Sequence, residues 1–244
     1  FEQWATALPL MQVAHHRDHP MQVEAMFLGT AGLLDADAMP QRQREAALSD
    51  AYFTALRREY TYLAHKFSLT AMPRTAWRFM RLRPQNSPYI RLSQLATLYC
   101  SRRADLSRVA SCATLDEVGG ALATEVGDYW RTHYSFGNES KANAKRLSAA
   151  SVQLLVVNAV VPMLYAYGRH RQDETLIQRA ATLMEELPPE DNTYIRLWKE
   201  CGVKAENAAD TQALIQLHRR YCERKECLRC RFGYYLLKGG SGSI

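Results

Sequence analysis

Apolar residues recur at three- and four-residue spacing through most of this sequence, and no alternating strand pattern competes with them. The clearest stretch is Ser49 to Phe67, where Tyr52, Phe53, Leu56, Tyr60, Leu63 and Phe67 share one helical face. Ser49 is the expected N-cap there. Val23, Met26, Phe27 and Leu34 form a rougher stripe from Met21 to Leu34, with Gly29 and Gly32 permitting close packing or a break. A short helix is expected over Thr75–Met80. It stops before Arg81-Leu82-Arg83-Pro84-Gln85-Asn86-Ser87-Pro88, whose two prolines favour extended backbone. Tyr89–Cys100 resumes the helical period. Thr114-Leu115-Asp116-Glu117 has the form of a capping box for a helix to about Ala123. The run from Gly127 to Phe136 is aromatic and less periodic. Ser148–Tyr167 reads as the central apolar helix, interrupted or kinked at Pro162. Asp173, Asn192 and either Asn207 or Asp210 are expected to cap three later helices, with Gly202 closing the second.

The fold class expected is therefore all-α, an irregular bundle of about eight to ten helices ending in a cysteine-bearing segment. Neither an internal repeat nor a long linker divides the chain. Residues 1–238 are expected to form one helical domain, with any subdivision near 140, and 239–244 a Gly/Ser tail. The start at Phe1, lacking an initiator Met, suggests the later part of something longer. A content of 47% hydrophobic and 23% charged residues is enough for a sizeable core. Val152–Leu164 contains Gln153, Asn158 and Pro162, and reads as a buried helix rather than a membrane span. The expected setting is cytoplasmic, without a membrane partner.

Charge alters this picture. The net charge of +6 is concentrated in two segments. Arg74 to Arg108 holds eight arginines against one acid, and Lys204 to Lys238 eight basic residues against four acids. Within the first, Arg74, Arg78, Arg81, Arg83 and Arg91 are interleaved with Trp77, Phe79 and Tyr89. A guanidinium grips two phosphate oxygens at once and aromatic rings stack on bases, so these five arginines are candidate nucleic-acid contacts. The structural alternative has them bonding helix-end carbonyls or acids such as Glu59, with Trp77 and Phe79 in the core.

Six cysteines without a secretory signal favour metal over disulfides where they cluster. Cys222, Cys227 and Cys230 follow His218 in a His-x3-Cys-x4-Cys-x2-Cys array. Zinc needs four such ligands in a tetrahedron. His218 is the candidate fourth, Cys201 the alternative, and an iron–sulfur cluster would favour the all-cysteine set. Packing of three reduced thiols as small hydrophobes is the competing reading. His133, among Tyr129, Trp130, Tyr134 and Phe136, lacks an evident nucleophile and is expected to be a buried hydrogen-bonding histidine. His15, His16 and His19 read as a polar loop. With no phosphate loop, dinucleotide fingerprint or zinc-protease motif, the chain alone is not expected to be an enzyme.

Taken in order, several of these stretches resemble a bacterial family, domain of unknown function 2851. The resemblance rests on Glu24-Ala25 with Gly29 and Ala31–Leu34, on Arg81–Asn86 with Pro88 and Arg91, and on Tyr129-Trp130, His133-Tyr134 and Phe136. It continues through Asn158, Pro162, Tyr167-Gly168, Gln212–Leu217, Tyr221-Cys222, Cys227-Leu228 and Cys230. Ser87 departs from it, standing where an aromatic residue is expected. The resemblance implies a C-terminal helical portion whose missing N-terminal half is similar to a PD-(D/E)XK nuclease. That half and nucleic acid are the expected partners. The competing function is a structural or protein-interaction domain that binds no nucleic acid.

Overall fold

A computed structural model, described over residues 2–238, is dominated by helices. Two compact units are present. One comprises residues up to Cys112 with Glu117–Val152, and the other Ala113–Asp116 with residues from Gln153 onward. The division falls at Val152 rather than near 140 because residues 140–147 run back onto the first unit. There the Asn143 N–H donates to the Arg131 carbonyl at 2.9 Å and that of Leu147 to Thr124 at 3.1 Å. The expected Gly/Ser tail, 239–244, and Phe1 lie outside the described residues.

At the centre of the first unit is the helix Pro20–Thr30, in which every residue from Val23 to Thr30 is buried. Such a helix is largely apolar because it is covered on most sides, with Glu24 and Thr30 as its buried polar residues. The helices Ala51–Phe67 and Pro88–Ser101 are its main neighbours. Gly29 and Gly32 divide the two roles expected of them. The Tyr60 ring occupies the space where a Cβ on Gly29 would sit, and Gly32 breaks the helix with φ +70°. Asp50, not Ser49, caps Ala51–Phe67, accepting from the Phe53 N–H at 2.9 Å. Ser49 instead finishes the preceding helix, Gln41–Leu48, donating to the Ala46 carbonyl at 2.9 Å.

The other oxygen of Asp50 accepts from Tyr129 Oη at 2.6 Å and from the Gly137 N–H at 2.9 Å, so one carboxylate joins three distant segments. Burial alone would raise the Asp50 pKa. Hydrogen bonds from Tyr129 and from backbone N–H groups outweigh it and hold the pKa below the ordinary value. The aromatic run becomes the helix Asp128–Thr132, followed by a two-stranded hairpin of His133–Ser135 and Asn138–Glu139. Thr75–Met80 is not a helix. Only the 3-10 turn Arg74–Ala76 forms, because Trp77 is extended and sends its indole N–H to the Ala31 carbonyl at 2.8 Å. His15 ends the helix Leu10–His15, so it belongs to no loop.

The run from Ala149 to Arg171, which belongs to the second unit from Gln153 onward, is helical throughout, with a π-turn at Val156–Val160 just before Pro162. A proline cannot donate to the preceding turn, and the wider π-turn accommodates that loss. The expectation of a buried helix fails here. Only 22% of its most apolar window is buried, although by length and composition alone the helix could cross a membrane. Val161–Arg171 packs on Glu174–Glu186, which Asp173 caps through Thr175 and Leu176. Asn192 caps Thr193–Glu200, and Gly202 follows it at φ +84°. Asn207 opens Ala208–Leu217 by accepting from the Asp210 N–H at 3.0 Å, which excludes Asp210 as the cap. A second π-turn, His218–Cys222, leads to a final helix, Arg231–Leu237, that the periodicity did not announce.

Candidate functional site

The five candidate arginines differ in burial and partners. Arg74 is buried: its guanidinium donates to Tyr89 Oη at 2.6 Å and Gln43 Oε1 at 3.1 Å, and lies 4.2 Å over the Phe79 ring. A guanidinium so enclosed cannot reach a phosphate, so Arg74 leaves the contact set and becomes an internal tie. Arg91 is half-buried and bonds Gln94 and Asn86, bracing the turn Pro84–Asn86. Arg78, Arg81 and Arg83 are exposed, and among the described residues no carboxylate pairs with any of them. Arg81 adopts φ +59° at the crest of the loop. Phe79, Met80 and Leu82 are also exposed there, Met80 by 77%. Glu59, the acid expected to compete for these arginines, bonds Gln22 instead.

The cysteine segment does not form a ligand set as its side chains are placed. Cys201, Cys222 and Cys227 are exposed and Cys230 is buried. Burial, together with the neighbouring Cys230 and Cys227, raises the Cys222 pKa, so these three thiols are within electrostatic reach. His218 nevertheless turns Nδ1 toward Glu223 at 3.5 Å, close enough for ion pairing but without hydrogen-bond geometry. Among the described residues, no three His, Cys, Asp or Glu side chains gather in a metal-holding arrangement.

His133 is the buried hydrogen-bonding histidine that its surroundings suggested. Its Nδ1 lies 3.0 Å from the Tyr129 carbonyl, and its ring stacks on Tyr129 at 4.0 Å. Beside it, Lys145 is also buried and donates Nζ to the carbonyls of Trp130, Arg131 and His133. It satisfies the carbonyls left open where the Asp128–Thr132 helix ends.

The most unusual group in the first unit is one that periodicity passed over. Glu24 is buried in the central helix, where Tyr52 Oη donates to Oε2 at 3.0 Å and the Trp130 indole N–H to Oε1. Burial pushes its pKa up to about 7 despite those two hydrogen bonds. Tyr52 stacks on Tyr129 at 4.2 Å, and burial with the adjacent Glu24 raises the Tyr52 pKa as well. The signal in the sequence was a lone acid within the apolar run Val23 to Phe27. A cleft of about 400 Å³ opens beside Glu24, with Tyr52, Tyr129 and Cys100 among its walls.

A family model described as "Protein of unknown function (DUF2851)" matches residues 1–193. The match includes Glu24, the Arg78–Arg83 loop and the His133 hairpin, and ends before Gln212–Cys230, where the resemblance had been extended. No curated protein and no solved structure matches the chain. With about four-fifths of its length covered, this chain belongs to the DUF2851 family of proteins of unknown function.

Proposed function

We propose that this chain is a helical accessory domain that binds nucleic acid through the Arg78–Arg83 loop, serving a nuclease-like module of the same protein. The observation that carries the reading is the group of three exposed, unpaired guanidiniums beside an exposed Phe79. Phosphate contacts by such groups release condensed counterions and are indifferent to sequence, while an exposed ring can stack on an unpaired base. In the second unit, Arg219, Arg220 and Arg224 line a separate open cleft with Gln212 and Gln216. That cleft is a second basic surface of the same character.

Fluorescence anisotropy with labelled single strands and duplexes of DNA and RNA tests this. Affinity should fall steeply with salt, and R78A/R81A/R83A should flatten the slope by roughly one for each phosphate no longer neutralised. Absence of binding at low salt ends the proposal. The exposed Met80 and Leu82 favour one competing reading, a protein-interaction loop. In that case replacing these two residues with Ser would abolish partner capture and leave oligonucleotides unbound from the outset.

A further inference from the structure

We propose that the cleft beside Glu24 binds a small organic cation, a primary ammonium or a guanidinium, whose charge pairs with the Glu24 carboxylate. A cleft of about 400 Å³ is within the ordinary range for small-molecule sites. Its lining contains no Lys, Arg or His, and three acids: Glu24, Glu125 and Asp128. Glu125 is already neutralised, with Arg131 at 2.5 Å and Arg146 at 3.4 Å. Asp128 is exposed to solvent and lies 3.8 Å from Arg131. Glu24 is different. It is buried, and both its partners, Tyr52 and Trp130, are neutral donors. A buried carboxylate without an opposite charge is costly, and a cation entering the cleft supplies that charge. Tyr52 is the aromatic wall of the cleft, and an ammonium or guanidinium is also attracted to such a ring; both faces of Tyr129 are taken, one by Tyr52 and the other by His133.

The surrounding elements provide no substitute cation. From Ala51–Phe67 the group facing Glu24 is Tyr52; Asp128–Thr132 brings Trp130, the acid Asp128 and Arg131, whose guanidinium is taken by Glu125. Pro88–Ser101 contributes Cys100, whose thiol burial raises in pKa. Arg17 is near Cys100, but it is committed to Asp105, to the Tyr99 carbonyl at 2.6 Å and to the Tyr99 ring. Pairing with a ligand should therefore ionise Glu24, and each binding event near neutral pH should release part of a proton.

The test uses the whole chain with n-butylammonium and methylguanidinium as probes and n-butanol as the neutral control. The Trp130 indole N–H donates to Glu24, so its NMR resonance reports the carboxyl directly. Both cations should shift that resonance and lower its titration midpoint. Calorimetry in buffers of different ionisation enthalpy should show proton release. Glu24→Gln should weaken cation binding roughly thirtyfold or more, as expected for loss of a buried charge partner, and leave n-butanol unaffected. Thr97→Trp obstructs the cleft without touching the Glu24 hydrogen bonds, and should abolish binding while the Trp130 resonance still titrates. An indole resonance that saturating cation leaves unmoved, or equal responses to cation and n-butanol, overturns the proposal. So does a folded Glu24→Gln variant with unchanged affinity.

Discussion

Glu24 makes the stability of the first unit depend on pH in a direction opposite to that of most carboxylates. Its folded pKa is raised from 4.5 to about 7, so the native state holds this proton more tightly than the unfolded chain does. The favourable contribution is fully present below pH 4.5 and is lost as pH rises through about 7. A tenfold difference in proton affinity is worth about 1.4 kcal/mol, so the loss across this window is of order 3 kcal/mol. Glu24→Gln keeps an acceptor for Tyr52 or Trp130 and removes the titration. The assay is urea unfolding between pH 4.5 and pH 8.5, followed by tryptophan fluorescence in a Trp198→Phe background. That substitution removes the one tryptophan of the second unit, leaving Trp4, Trp77 and Trp130 to report on the first. Histidines and other carboxylates titrate in both proteins, so the informative quantity is wild type minus variant. It should fall by about 3 kcal/mol across the range, with its midpoint between the two pKa values. A difference that is flat with pH, or that rises, refutes the assignment of an uncompensated buried carboxyl.

Arg74→Ala should destabilise the first unit by about 2–4 kcal/mol, because Tyr89 and Gln43 lose a buried charged partner, whereas Arg78→Ala should change stability by less than about 0.5 kcal/mol. Thermal melts of the two variants make the comparison. Gly29→Ala forces the Tyr60 ring off the central helix and should cost about 1–3 kcal/mol, with Tyr60→Ala in the same chain relieving the added penalty in a double-mutant cycle. Lys145→Met removes the ammonium from three carbonyls and should cost about 2–4 kcal/mol in denaturant unfolding. Asp50→Ala removes a cap and two tertiary bonds, worth about 2 kcal/mol at neutral pH. The folded Asp50 pKa is depressed, so its contribution holds above the ordinary value of 3.8 and is lost as pH falls through the folded value. The gap between variant and wild type should therefore close in acid.

The helices were legible where local rules suffice. Asp173 and Asn192 cap through backbone amides two or three residues away, and the face of Phe53, Leu56 and Leu63 is buried as its spacing implies. Failures arose where distant chain decides. Thr75–Met80 lost its helix because the Trp77 indole found a carbonyl 46 residues away. Ser49 and Asp50 are both acceptable caps, and the helix ending at Leu48 claimed the first. The arginines illustrate the same limit. Composition placed Arg74 and Arg78 in one set, yet Tyr89 and Gln43 draw one inward while the other remains exposed. The cysteine array has spacing suited to zinc, and spacing alone does not determine where His218 points, which is toward Glu223. Glu24 was hidden by the opposite fault: a single acid in an apolar run is averaged away by any periodicity.

The bonds made by Asp50 also bear on the order in which the protein is built. A ribosome delivers Asp50 and the whole Ala51–Phe67 helix well before Tyr129 and Gly137, which lie 79 and 87 residues further along. Until they arrive the carboxylate serves only its local amide, and Tyr52 and Phe53 lack the rings that later cover them. Nascent chains that stop short of the hairpin thus leave this helix covered only by earlier segments, chiefly Pro20–Thr30, with part of its apolar face still open. Closure of this unit is a late event of synthesis, set by the emergence of residues near 137 rather than by the speed of helix formation.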